Sequence, residues 1–335
     1  MQRVLIPSRI APGAAPVGTI HDLAGLTMGT SWSVRLVVNR PIDLPRLRLG
    51  VQQELDTIVA QMSHWQPDSD LGRFNRAEAG SWQPLPEAFF EVLSYALEVA
   101  EASGGAYDPG AGALVNLWGF GPERRHDQAG FRAPTAAAIA SLIGRTGIEL
   151  DRERRRARQP GGVQLDLSAV AKGYGVDQVA RHLERQGLRH YLVEVGGELR
   201  GAGVKPDGQP WWVALEQPPS TNGTATAGDP LLLALHGLAV ATSGDYRRYV
   251  DLDGQRHAHT LDPRDGYPVR NGVASVSVIH PECMAADALS TALTVLGAEQ
   301  GMRFAEAHGL AARWLIRDGE TLVERMSAAF LEMLQ

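Results

Sequence analysis

Two segments near the end of the chain hold residue types whose spacing could do chemistry. In Ala286-Asp287-Ala288-Leu289-Ser290-Thr291, Asp287 and Thr291 stand four apart inside an apolar, helix-forming run. On a helix that spacing puts a carboxylate and a hydroxyl on one face. Two converging hard oxygens suit a cation such as Mg²⁺. The second segment, from Asp253-Gly254 to Gly266-Tyr267-Pro268, is polar, rich in Gly and Pro, and contains His257 and His259. A loop histidine is either a surface residue or a titratable group brought to a site. Only proximity to the Asp287–Thr291 face decides between these, and sequence spacing does not supply it.

Other segments could carry a ligand. Met28-Gly29-Thr30 directly precedes a strand and reads as a turn or a contact. Met62-Ser63-His64-Trp65 ends a helix with an aromatic that could stack on a planar ring or cap the core. Gly105-Ala106-Tyr107-Asp108-Pro109 leads to Leu117-Trp118-Gly119-Phe120-Gly121, where two large aromatics between glycines suit a planar ligand or a core corner. In Leu165-Asp166-Leu167-Ser168-Ala169-Val170-Ala171-Lys172, the acid at a strand end and the lysine inside the next helix could face a phosphate or form an exposed ion pair. Gly196-Gly197 reads as a tight turn that also permits close backbone approach. Walker loops, dinucleotide fingerprints, serine-hydrolase elbows and His-Glu-x-x-His zinc motifs are absent.

The elements that must position these residues follow from periodicity. Trp32 to Val38 alternate as a strand, and Asp43 opens a helix with Pro45 in its first turn. Further helices are expected over 86–102, from Pro134 to Gly144, 170–186, 284–296 and 300–308, with a short one at the end. Strands are expected over 148–150, 163–167, 191–195, 211–216, 231–236, 238–241, 273–279 and 313–317. The cluster Arg152, Arg154, Arg155, Arg156 and Arg158, followed by Gln159-Pro160-Gly161-Gly162, reads as a solvated hairpin tip. Residues 218–229 read as a surface loop, and residues 1–24 as a flexible arm before one domain over 25–335. Helices and strands come in runs, which predicts an α+β fold of mixed or antiparallel sheets with packed helices.

Composition excludes several classes. A chain of 335 residues with net charge -6 lacks the basic balance of a nucleic-acid binder. One cysteine, Cys283, permits no internal disulfide and no thiolate cluster. No apolar run is long enough to span a membrane. With no legible export signal and no early cysteine to accept a lipid, the expected address is cytoplasmic.

Taken in order, Met28–Thr30, Met62–Asn75, Gly105–Gly121, Leu165–Asp177, Val195–Gly203, Thr242–Tyr246, His259–Val269 and Ala286–Gly297 resemble the ApbE family of FAD:protein FMN transferases. The resemblance covers nearly the whole chain after residue 25. It implies a T-fold-like architecture and a Mg²⁺-dependent reaction in which FAD loses AMP and FMN is joined through its phosphate to a Thr or Ser hydroxyl. The acceptor it implies is a protein, typically a redox-complex subunit. It places the metal on Asp287, Thr291 and the carbonyl of Ala169. It places flavin-nucleotide contacts on Met28, Trp65, Ala106, Tyr107, Asp108, Asp166, Lys172 and, through backbone, Leu261. His259 falls on the family's His-x-x-Asp-Pro histidine, as general base or acceptor-positioning group, and Lys172 stands near the phosphates. Trp65 replaces a tyrosine and Thr260 an isoleucine common in relatives. Exported relatives carry a signal that is not legible here, and a periplasmic address follows if one has been removed. Two other functions use the same residues: an FAD pyrophosphatase releasing FMN and AMP, and a non-catalytic flavin-binding assembly factor. The intact Asp287, Thr291 and His259 speak against the latter.

Overall fold

The alternating run before residue 39 forms the second strand of a large sheet, and every later strand of that sheet is added next to its predecessor. A computed structural model describes residues 3–7, 15–123, 125–144, 147–218, 231–246, 248–252, 255–319 and 321–335. Its main sheet contains β1 (Thr19–Thr27), β2 (Thr30–Val38), β3 (Tyr191–Val195), β4 (Glu198–Ala202), β5 (Leu238–Gly244), β6 (Val273–His280), β7 (Ala311–Asp318) and β8 (Thr321–Met326). Their spatial order is their chain order, and every pairing is antiparallel. The helices lie in the connections. Between β2 and β3 come α1 (Leu44–Met62), α2 (Glu87–Ala102) and α3 (Ala171–Arg185), and between β6 and β7 comes α4 (Cys283–His308). The fold is α+β.

Period-two alternation divides the sheet residues between two cores. Val34, Leu36, Val193, Val195 and Ala239 pack against α1 and α3, and Ala241, Val276 and Val278 against α2 and α4. Val37, Val240 and Ile279 face the other way, onto Trp211, Leu233 and Phe330. Ser243 continues the parity of Ala239 and Ala241, so it points to the helical face.

Local chemistry sets the helix ends. Asp43 caps α1 by accepting from the Arg46 amide at 3.0 Å, with proline in the first turn. Gly297, with φ of 74°, interrupts α4 between its two expected halves. At the start of α4 the carboxylate of Asp177, from α3, accepts from the Cys283 amide at 3.1 Å and the Met284 amide at 2.9 Å. A carboxylate on a helix N-terminus is favoured by the helix dipole, and here it ties α3 to α4.

Two expectations change. Residues 19–24, expected in the loose arm, belong to β1, and Val4–Leu5 pairs in parallel with the strand Leu232–Leu235. β1 is largely exposed, so it lacks the apolar alternation that would have marked it. Residues 163–167, expected as a strand, form none. The Asn75 side chain clamps both backbone groups of Leu165, accepting from its amide at 2.7 Å and donating to its carbonyl at 3.0 Å. Residues 152–155 do form the tip of a hairpin between strands Glu149–Asp151 and Arg156–Arg158, with Arg152 and Arg155 exposed and paired to Glu98 and Glu87. The expected loop over 219–229 and the pair Asp253-Gly254 lie outside the described residues.

Candidate active site

The site is built where α3 and α4 cross above β4 and β5. Gly173 is the reason they approach so closely. A Cβ added there would lie 2.7 Å from the Cys283 carbonyl carbon and 2.8 Å from the Asp287 Cβ. The amide of Gly173 is one of the first-turn donors that no helix satisfies internally. It donates to Asp287 Oδ2 at 2.9 Å. Asp287 is 3% exposed, so this bond holds a buried carboxylate in place. Ala169 immediately precedes Val170, the N-cap of α3.

One turn along α4, Thr291 and Ser290 face β5. Ser243 Oγ lies 3.0 Å from Thr291 Oγ1 and 2.7 Å from Ser290 Oγ, and Ser290 also donates to the Asp287 carbonyl. Asp287 and Thr291 therefore share a helical face, with Ser243 completing a set of oxygen atoms. No group of three or more His, Cys, Asp or Glu suited to a metal occurs among the described residues. A cation here would rely on one carboxylate with hydroxyl and carbonyl oxygens, the donor chemistry of a hard ion.

Charge at the junction is out of balance. Lys172 pairs with Glu198, which is 4% exposed and has its Oε2 without a hydrogen-bond partner. Burial pushes the Glu198 carboxyl up to about 7, with Lys172 opposing and the Asp287 charge adding to the rise. Burial likewise raises Asp287 against the pull of Lys172 and the Gly173 amide. Two buried acids facing one lysine leave the junction short of positive charge.

A second group gathers around Asp166. Its backbone amide donates to the Pro109 carbonyl at 2.8 Å, and its Oδ1 accepts from the Ser168 amide at 2.8 Å. Its remaining partner is His64 Nδ1, at 2.9 Å. Burial pushes the Asp166 carboxyl up, but the His64 charge and the hydrogen bonds from His64 and Ser168 outweigh it and hold it down to about 2. Asp166 and Lys172 therefore do not pair with one another, contrary to the ion-pair expectation. Tyr107 is buried beside them. Burial, then the charges of Asp287, Asp166 and Asp108, push its hydroxyl well up, and that hydroxyl has no hydrogen-bond partner. Asp108 accepts from the Gly110 amide at 2.7 Å, and Ala106 is buried.

His259 is partly buried in the connection from β5 to β6. Its Nδ1 lies 2.9 Å from the Arg248 carbonyl, so Nδ1 carries the proton and donates, leaving the Nε2 lone pair available. Burial lowers its pKa to about 4, helped by the Arg248 and Lys172 charges. Lys172 acts on both His259 and Asp287, which brings the histidine and the α4 carboxylate into one electrostatic neighbourhood.

The remaining expected contacts sit around this centre. Met28 occupies the two-residue turn between β1 and β2 with φ of 49°, and its side chain packs beside Gly175 of α3. Trp65 is 48% exposed, with its ring 5.4 Å from that of His64. Leu261 pairs with Pro268 and packs with Leu114, Trp118 and Ile139. Glu198, Gly173, Ser243, Arg248 and His64 take part in the arrangement without having been singled out from sequence. Apart from Arg248, their segments were visible, but their partners are far away in the chain.

Known proteins share this arrangement of chain and fold. Residues 28–314 match the model of the ApbE family. A Haemophilus influenzae protein named FAD:protein FMN transferase is 36% identical over 325 residues, covering 94% of this chain and 92% of the relative. The Vibrio cholerae protein of the same name is 37% identical, covering 95% of this chain and 94% of its own. The crystal structure of the apo form of Pseudomonas stutzeri flavinyl transferase ApbE superposes with a TM-score of 0.85 at 37% identity, covering 94% of this chain and 97% of that one. With the match running from the Met28 turn to β7 and the relatives aligned along almost their full length, the chain belongs to the ApbE family.

Proposed function

We propose that the protein transfers FMN from FAD to a Thr or Ser hydroxyl of an acceptor protein and releases AMP. Family membership supports the transferase reading. The observation that supports it at the level of residues is the α3–α4 junction, where the Gly173 amide holds Asp287, Thr291 follows one turn on, and the Lys172 charge acts on both Asp287 and His259. In the reaction the acceptor oxygen forms a bond to the phosphorus of the FMN moiety as the bond from that phosphorus to the AMP oxygen breaks.

Asp287, Thr291 and the Ala169 carbonyl would hold Mg²⁺, which when bound supplies Lewis-acid neutralisation of pyrophosphate charge. Lys172 adds positive charge on the same side, where a departing phosphate gains negative charge. His259 takes the acceptor hydroxyl proton on Nε2, because its Nδ1–H is committed to the Arg248 carbonyl. Its lowered pKa keeps it neutral and ready to accept over the physiological range. Trp65, Ala106, Tyr107, Asp108, Asp166, Met28 and Leu261 would hold the flavin nucleotide so that attack is in line. Redox-complex subunits are the acceptors this reading favours.

Incubation with FAD, Mg²⁺ and a candidate acceptor tests the proposal. A gain in acceptor mass equal to one FMN adduct, with AMP released, supports transfer. Free FMN and AMP with an unmodified acceptor would instead make the protein a pyrophosphatase.

A further inference from the structure

The His64–Asp166 pair does more than close a turn. His64 follows the C-terminus of α1, where Ser63 Oγ accepts from the Trp65 amide and the Ser63 carbonyl accepts from Ser69, so the backbone of the turn is pinned. The His64 side chain is 12% exposed and the Asp166 side chain 10%. Asp166 is fixed independently, through Pro109 and Ser168. The ring is therefore oriented from one side and buried, and yet its Nε2 has no hydrogen-bond partner. An unpaired buried polar atom is costly in a folded protein. Here it lies on a ring 5.4 Å from that of Trp65, an aromatic surface that is 48% exposed.

We propose that His64 Nε2 donates a hydrogen bond to a carbonyl oxygen or ring nitrogen on the edge of a flavin ring system lying against Trp65. The inference rests on the flavin-nucleotide reading above and assigns His64 as a ring-recognition residue, oriented by Asp166. The geometry defines which proton is used. Asp166 accepts the hydrogen bond from Nδ1–H, so Nε2 donates when the ring is an imidazolium. The charged groups acting on that ring are Asp166, from the segment before α3, and Arg248, from the connection after β5. Burial lowers the His64 pKa and Arg248 adds to that, but the Asp166 charge and hydrogen bond prevail and leave it raised. Ring binding is strongest with His64 protonated and weakens as pH rises through that raised pKa, above the ordinary histidine value of about 6.5.

Riboflavin, which carries the ring and no phosphate, is the probe, with AMP as the control for the other half of FAD. Both are titrated against the full chain by fluorescence and calorimetry on either side of the histidine range. Wild-type protein should bind riboflavin more weakly as pH rises. His64→Phe should bind it at least about tenfold more weakly, as expected for one charge-assisted bond, with the pH dependence gone and AMP binding unchanged. Equal riboflavin affinity in variant and wild type, failure of wild type to bind riboflavin, or a loss confined to AMP would overturn the assignment. NMR of isotope-labelled histidine in the wild-type protein gives a test that needs no variant. Riboflavin should raise the His64 pKa, and an unmoved titration would refute the contact. If riboflavin behaves as expected but no acceptor adduct ever forms, the transferase reading falls and the ring contact stands. If adducts form while riboflavin ignores His64, only the ring contact falls.

Discussion

Gly173→Ala is the sharpest perturbation of the helix junction. The new methyl carbon would stand 2.7 Å from the Cys283 carbonyl carbon and 2.8 Å from the Asp287 Cβ, and nearer still to the Cys283 oxygen. Two of these atoms are backbone, so relief requires α3 and α4 to separate. Overpacking of this kind costs about 1–3 kcal/mol. Separation also stretches the Gly173–Asp287 hydrogen bond, and a bond to a charged group contributes about 1.5–3 kcal/mol. The two losses overlap, and together come to about 3–4 kcal/mol. That is a large part of a typical total of about 5–15 kcal/mol. At about 2 °C per kcal/mol for a chain of this size, Tm should fall by about 6–8 °C. Gly175→Ala is the control two residues on. Its methyl would meet only the ends of flexible side chains, the Leu55 Cδ2 at 3.2 Å and the Met28 Cε at 3.5 Å, while helix propensity gains up to about 1 kcal/mol. Thermal melts by circular dichroism compare the two, and FMN transfer measured against Mg²⁺ concentration reads the site. Gly173→Ala should also require more Mg²⁺. Equal melting of both variants with unchanged Mg²⁺ demand would refute the argument that this glycine sets the position of Asp287.

Further outcomes follow from the same geometry. Asp287→Asn keeps an acceptor for the Gly173 amide but removes the charge, so Mg²⁺-dependent turnover should drop by about 100-fold or more while FAD binding partly survives; turnover at the wild-type level would sink the metal assignment. His259→Ala should slow transfer by about 10²–10⁴-fold without weakening metal binding, the range for loss of a general base. Because the His259 pKa is lowered to about 4, the acid limb of the transfer rate should lie well below the ordinary histidine range, and a limb at about 6.5 would count against the base role. The same shift means that the unfolded chain binds this proton more readily than the folded one. Its contribution to stability is present above the unfolded value and is lost as pH falls from about 6.5 towards about 4, which pH-dependent denaturation of wild type and His259→Ala would reveal. Asp177→Ala strips the cap from α4 and leaves Arg200 without its carboxylate, and chemical denaturation should show a loss of about 3 kcal/mol or more.

Much of the scaffold was legible because it obeys strong periodic rules. α1, with Asp43 as its cap and Leu47, Val51, Leu55, Ile58 and Met62 inward, is set by local chemistry. The shared face of Asp287 and Thr291 follows from helical geometry alone. The segment before α3 misled for a physical reason: its apolar run is extended, but it makes only one isolated parallel bridge, from Gln164 to Ala111, and the backbone groups of Leu165 go to the Asn75 side chain. β1 escaped notice because an exposed edge strand needs no apolar alternation. Residues joined across the chain were beyond reach. His64 and Asp166 stand 102 positions apart and Gly173 and Asp287 114, and no local pattern encodes a hydrogen bond at such separations.

The sequential order of the main sheet has a consequence for how the protein is made. His64, Tyr107, Asp166 and Lys172 are all synthesised before β3 exists, Glu198 and Ser243 arrive with β4 and β5, and Asp287 only after β6. A nascent chain thus holds most of the residues proposed to face the nucleotide long before it holds the α4 carboxylate. Ligand that needs the whole set can stabilise only the finished sheet, by about 2.7 kcal/mol at a hundredfold excess over Kd. Binding competence therefore arrives late and all at once, and a chain released early would have neither the grip nor the chemistry.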